Sequence, residues 1–316
     1  MRRFRIRRRR ALAIALVPAA ALTIGSITQG AAAEQRQAAI DPAKKSVRFG
    51  DRVTLRGSFP GAPGQAVSIR HRGANGKRFR QVATTRTNEN SRWKARVKPR
   101  RTGMWRARLA HAPRTDQDGD SLLEQPVGVD AETRAKRVRV RSVTRVRAKN
   151  HAIVGDNVRV RGRVKPGGRR KVVVELGGKD VKTRTDSRGR FDAKLRAGST
   201  GTRKLKAKAR GNAKASGSRD SGGKVTVYRK AQASYYGPGF YGNRTACGQT
   251  LTSGMLGVAH KTMRCGTKLK LRHGGKTVTV RVIDRGPYAG DREFDLTEAT
   301  RNKLGFGSTG TILTSK

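Results

Sequence analysis

The chain has 316 residues, 73 of them Lys or Arg against 21 Asp or Glu, a formal net charge of +52, and only 34% apolar and 5% aromatic residues. That length accommodates about two or three domains, and so little apolar material excludes one large enzyme body in favour of small β domains with modest cores. The positive excess makes polyanions the expected partners: nucleic acid, anionic lipid or anionic wall polymer.

At the N-terminus, "MRRFRIRRRR" is followed by the apolar "ALAIALVPAAALTIG" and then "AAAEQ", with small residues at Ala31 and Ala33. This three-part pattern predicts a signal peptide over 1–33, cleaved near Ala33. The apolar run is short for a bilayer crossing and is broken by Pro18, so no membrane span is expected after cleavage; a retained anchor helix is the alternative. A secreted, wall-associated location follows, and export argues against a specific nucleic-acid target.

The middle of the chain repeats itself. "FGDRVTLRGSF" (Phe49 to Phe59) returns as "VGDNVRVRGRV" (Val154 to Val164), 105 residues later, and Trp93 and Gly103 are matched by Phe191 and Gly201. Short alternating segments bounded by Gly, Pro, Asn and Asp predict β-sandwiches, read here as two immunoglobulin-like domains over 38–130 and 138–229. Their outward positions are largely Arg and Lys, which suits attachment to anionic cell-wall polymers. "KASGSRDSGGK" (Lys214 to Lys224) has the composition of a long loop or of the approach to a linker.

From Ala231 the composition changes, and 231–316 is expected to be a separate domain. Tyr235, Tyr236, Phe240 and Tyr241 cluster beside glycines, either lining a sugar-binding surface or filling a core. Cys247 and Cys265 are the chain's two cysteines and, in an exported protein, read as a disulfide worth about 3 kcal/mol. No His spacing accompanies them, so no metal site is expected, and no cofactor. "KTVTVRVID" alternates as a strand, and simple alternation places Asp284 on the side of Val278, Val280 and Val282, at the core's rim. "DLTEATRNKLG" offers Asp295 as the N-cap of a short helix, with Glu298 completing a capping box and Gly305 as C-cap. Asp291 and Glu293 read as a solvated turn.

The ordered motifs "ASYYGPGFYGNRTACGQ", "GVAHKTMRCGTKLKL", "VTVRVIDRGPY" and "FDLTEA" resemble the RlpA-like double-psi β-barrel domain, a barrel shared with expansins and family-45 endoglucanases. The resemblance covers roughly 233–314. It implies a six-stranded barrel with an open groove for peptidoglycan glycan strands and says nothing about 34–230; with the two immunoglobulin-like repeats and the short helix read above, the chain is expected to be all-β. The resemblance further implies a lytic transglycosylase with Asp284 as catalytic acid, His260 in the same site and Asp295 as a second acid. Tyr236, Tyr241, Thr245, Gln249 and Arg285 are the expected substrate contacts. The sequence departs from the pattern at Gln249, where characterised members have Glu; Gln cannot transfer a proton. The alternative is an expansin-like protein that binds and remodels the wall without cleaving it.

Overall fold

The computed structural model describes residues 37–109 and 131–316. The expected signal peptide and residues 110–130, the end of the first expected domain, lie outside them. The described chain is all-β, with one short helix.

The first repeat contributes β1 (Ala39–Pro42), β2 (Ser46–Arg48), β3 (Val53–Ser58), β4 (Ala66–Gly73), β5 (Arg80–Arg86), β6 (Arg92–Val97), β7 (Gly103–Leu109) and β8 (Lys136–Arg141). They form two sheets, β1-β3-β6 and β2-β8-β7-β4-β5, with β2 parallel to β8. The second repeat uses the same plan. β9 (Val143–Arg147), β11 (Asn157–Lys165) and β14 (Arg190–Arg196) make one sheet. β12 (Lys171–Leu176), β13 (Lys179–Arg184), β15 (Gly201–Ala209) and the start of β16 (Ser218–Tyr236) make the other, in the order β13-β12-β15-β16. β10 (His151–Ile153) runs parallel to β16. This is the immunoglobulin-like arrangement, in which the first strand is split between the two sheets.

Alternation builds both cores. In β6, Trp93, Ala95 and Val97 point inward while Arg92, Lys94 and Arg96 face solvent. The repeated Arg-Gly pair has a packing cause. Gly57 lies opposite Trp93 and Gly162 opposite Phe191, each under the aromatic ring. A Cβ on Gly57 would sit 1.9 Å from the Ala39 carbonyl oxygen, and one on Gly162 would sit 2.2 Å from the Phe191 ring.

The segment Lys214–Lys224 is neither a free loop nor a linker. Ala215 is buried in the core of the first sandwich, Ser216 N–H donates to the Val140 carbonyl at 2.9 Å, and β16 begins at Ser218. Its Gly222 is there for packing: a Cβ would meet Leu205 at 2.7 Å and Val146 at 2.8 Å.

β16 also has no break between sandwich and barrel. Its C-terminal half joins β17 (Gly257–His260), β18 (Lys268–His273), β19 (Lys276–Asp284), β20 (Phe294–Thr297) and β21 (Gly310–Thr314). The order β16-β20-β17-β19-β18-β21 closes on itself through the β16–β21 pairing, giving a six-stranded barrel. Its core holds Val258, Leu269, Leu271, Val280, Val282, Phe294, Leu296 and Ile312.

Helix α1 (Glu298–Leu304) packs on the barrel. Its N-cap is Thr297, not Asp295: the Thr297 hydroxyl accepts from the Thr300 N–H at 3.3 Å, while Asp295 is committed to β20 by pairing on both sides. Gly305 caps the other end in the left-handed conformation at φ 64°.

Candidate active site on the barrel

Four adjacent strands bring one row of residues into line. Ser234 pairs with Asp295, Asp295 with Ala259, and Ala259 with Asp284. Paired residues share a face, so this row lies opposite Val258, Val282 and Leu296, which fill the core. Simple alternation along β19 gives the wrong side for Asp284. Val258 pairs with Val282 but Ala259 pairs with Asp284, so the register slips by one residue at Ile283. That bulge turns Asp284 away from the valines. Gly257 makes room for it, since a Cβ there would sit 2.4 Å from Ile283 Cδ1.

Asp284 is held from two directions. Its Oδ1 accepts the N–H of Ala246 and of Arg285, both at 2.8 Å. Ala246 belongs to a tight turn in which Thr245 N–H donates to the Gln249 carbonyl at 2.7 Å and Gly248 N–H to the Thr245 carbonyl at 2.9 Å. The Thr245 hydroxyl reaches the Gln249 side-chain oxygen at 3.3 Å. The Cys247–Cys265 disulfide ties this turn to the segment ahead of β18, and Arg285 Nη1 lies 4.0 Å from Cys247 Sγ. Arg285 thus adjoins Asp284, while Thr245 and Gln249 close the turn whose Ala246 N–H reaches it.

Asp295 accepts from the Ser234 hydroxyl at 2.8 Å. Burial raises its pKa above the usual carboxylate value, and the nearby Asp284 charge adds to the rise, against Ser234 and Arg292. Tyr236 shares this face, two residues beyond Ser234. Its hydroxyl is buried and makes no hydrogen bond of normal geometry. Burial pushes its pKa up strongly, and the Asp284 and Asp295 carboxylates add to it. The site therefore joins two carboxyls and a protonated phenol.

His260 is not brought to Asp284. It is next to Ala259 in sequence and so faces the other way, in register with Phe294, with ring centroids 5.0 Å apart. Its Nδ1 accepts the Thr262 and Met263 N–H groups at 3.1 and 3.0 Å, which puts the proton on Nε2, 3.4 Å from Glu293 Oε1. Glu293 is not a solvated turn residue either. Both of its oxygens are held by the Arg229 guanidinium, one at 2.7 Å, and that pairing lowers its pKa. Asp291 is exposed, as expected.

The aromatic cluster divides. Tyr235 turns toward the core, with the Arg301 guanidinium 4.2 Å from its ring centre. Phe240 and Tyr241 are exposed; Phe240 meets Tyr236 edge-on at 6.3 Å, and Tyr241 donates to the Glu298 carboxylate. Tyr288, at 79%, is the most exposed large hydrophobic side chain among the described residues. Sequence reasoning missed Ser234 and Tyr288. Alternation along "ASYYG" was the available signal for Ser234; nothing local marked Tyr288. No cluster of His, Cys, Asp and Glu able to hold a metal occurs among the described residues.

Residues 228–314 match the lytic transglycolase family. Over this domain the chain is 42% identical across 80 residues to a probable endolytic peptidoglycan transglycosylase RlpA of Synechocystis, covering 25% of each chain. It is 41% identical across 81 residues to the endolytic peptidoglycan transglycosylase RlpA of Campylobacter jejuni, covering 25% of this chain and 30% of that one. The corresponding Pseudomonas aeruginosa protein is 43% identical over 81 residues, 25% of this chain and 24% of that one. The chain thus aligns with roughly a quarter of these relatives' length, and the match to the lytic transglycolase family leaves both sandwiches outside it.

Proposed function

We propose that the protein is an exported lytic transglycosylase acting on peptidoglycan glycan strands, with Asp284 as acid and then base. The observation carrying this reading is the placement of Asp284 and Asp295 in register across Ala259, on a barrel similar to named peptidoglycan transglycosylases. Asp284 gives a proton to the glycosidic oxygen as the bond to the anomeric carbon breaks. It then takes one from the muramic 6-hydroxyl as that oxygen closes the 1,6-anhydro ring. The internal hydroxyl replaces the water that a two-carboxyl hydrolase must activate. Asp284 and Asp295 flank Ala259 and titrate as neighbours: each raises the cost of ionising the other, and in this reading the proton the pair retains is on Asp284 when the glycosidic oxygen takes it. Tyr236, Tyr241, Thr245, Gln249 and Arg285 contact the glycan, and His260 acts at a distance by fixing the chain after β17.

In this reading residues 1–33 direct export, 38–130 and 138–229 are the sandwiches that hold the protein to anionic wall polymers by charge, and 231–316 does the chemistry at the wall. The test is mass spectrometry of soluble products from purified sacculi, intact and amidase-stripped, with wild type and Asp284→Asn. Anhydro-muramyl products that vanish in the variant are expected. Their absence from both proteins, with wall pull-down retained, would favour a second reading as an expansin-like remodeller. Gln249 motivates that reading, because it leaves the Thr245–Gln249 turn without a carboxylate.

A further inference from the structure

The outer face of the second sandwich carries an arrangement that solubility does not require. β11 alternates Val158, Val160 and Val164 inward with Arg159, Arg161, Arg163 and Lys165 outward. The register sets Arg161 opposite Arg147, and Arg163 between Arg145 on one side and Arg190 on the other. Like charges directly opposite each other across a ladder cost stability, and Thr or Ser would serve a solvated face without that cost. Two acidic residues relieve one edge of the sheet. Asp192 takes Arg159 at 2.6 Å and Arg161 at 3.7 Å, and Asp186 takes Arg190 at 2.9 Å. Among the described residues no carboxylate pairs with Arg145, Arg147 or Arg163.

These arginines line a groove of about 1250 Å³ whose other side, at Lys98 and Arg100, belongs to the first sandwich. Lys98 and Arg100 also line a cleft on the first sandwich with Arg78, Arg80, Arg96 and Arg101, a cleft lined by no acidic residue. At the other end Arg147 and Arg161 are shared with a third cleft that reaches Arg272 and Leu313 of the barrel. The three clefts therefore run together through shared residues. The junction that holds them is built: Thr102 N–H donates to the Lys214 carbonyl at 2.7 Å, and Ala215 is inserted into the first core.

A continuous row of cations fits a linear polyanion better than a compact one. Successive outward residues on a strand are about 7 Å apart, a pitch that an extended phosphodiester chain follows. Arginine offers a planar fork that grips phosphate oxygens in pairs. Bases would need exposed aromatic platforms. The exposed aromatics among the described residues, Phe240, Tyr241 and Tyr288, all lie on the barrel; of the two in the groove, Phe191 is buried over Gly162 and Phe49 is half-buried against the first core.

We propose that this track binds a linear phosphodiester polymer without bases, of the polyol-phosphate kind, and leads it toward the barrel. The proposal rests on the reading of the sandwiches as polyanion-binding parts and is independent of catalysis by Asp284.

The experiment measures binding of poly(glycerol phosphate) to the full chain across a salt series. Arg145→Ser/Arg163→Ser is compared with Lys179→Ser/Lys182→Ser, which removes the same charge from β13 in the other sheet. The groove variant should lose about tenfold in affinity, and its salt slope should fall by about 1.4, roughly 0.7 for each lost phosphate contact. The control should stay within about twofold. Equal losses in both variants would overturn the track and leave only a diffuse field. Tighter binding of single-stranded DNA of equal length would overturn the base-free assignment. No salt-dependent binding to either polymer would refute the broader reading of the sandwiches. With like-charge pairs removed, the groove variant should melt no lower than wild type; if it melts lower, Arg145→Gln/Arg163→Gln repeats the comparison with longer side chains.

Discussion

The sandwiches and the barrel are made from the same alternating strands, yet they use their outward positions differently. Residues 231–316 hold 13 basic and 5 acidic residues, while the remainder holds 60 and 16. On the sandwiches the outward side chains supply charge density, which acts over a screening length of about 8–10 Å and tolerates loose placement. On the barrel the outward row holds Ser234, Asp295 and Asp284, positioned by a bulge, a closed turn and a disulfide. Long-range attraction needs only number and sign, a grip on a chain needs cations at its phosphate spacing, and proton transfer needs registration to a fraction of an ångström.

The sharpest separation of the two regions is Asp284→Asn. It should lower release of anhydro products by about 10²–10⁴-fold while leaving salt-dependent polymer binding unchanged. A parallel loss of both activities would break the division of labour. Next in size, Cys247→Ser/Cys265→Ser should cost about 3 kcal/mol in denaturant unfolding and loosen the turn that donates Ala246 N–H to Asp284. On the other side of the comparison, Gly57→Ala should cost about 2 kcal/mol, because the backbone of β1 and the Trp93 ring leave no space. Its effect belongs to the sandwich, so the barrel's product spectrum should not change.

The smallest effects are pH-dependent and opposite in sign within the barrel. Arg229 lowers the Glu293 pKa, so that pair contributes stability above the ordinary carboxylate range and loses it as pH falls through the lowered value. Glu293→Gln should cost about 1 kcal/mol near neutral pH, given solvent screening, and nothing in acid. Burial raises the Asp295 pKa, so its ionised form is a liability above that raised value and none below the unfolded one. Asp295→Asn should therefore melt higher than wild type at neutral pH, with the gain disappearing in acid. Thermal melts at both pH values check the pair.

Much of this was legible in the sequence, because alternation is a local signal. The all-β class, the inward valines of β19, the Gly305 cap and the nearness of Cys247 to Cys265 all follow from short windows. The direction of Asp284 was not legible, because it depends on which residue of β17 pairs with which of β19, and a bulge leaves no mark in composition. The fate of Glu293 depends on Arg229, 64 residues away. The local pattern points to Asp295 as the helix cap; its pairing on both sides within β20, invisible locally, leaves that role to Thr297. The Gly- and Ser-rich stretch around 214–224 looked loose because small residues serve both flexible loops and crowded packing; here Gly222 lies under Leu205 and Val146.

β16 is a strand of 19 residues whose first half completes the second sandwich and whose second half opens the barrel. At about 3.3 Å per residue it spans up to roughly 60 Å; its bulge, at Gly222 and Gly223, lies inside the sandwich half, and the strand passes from sandwich to barrel without a connecting loop. A force applied at the sandwich reaches the barrel as torque rather than being absorbed by slack. On the proposed reading the same strand works as a gauge: a polymer gripped by the sandwich and a bond offered to the barrel would be kept at a constant offset, so reach would be fixed by the length of a strand rather than by the wandering of a tether.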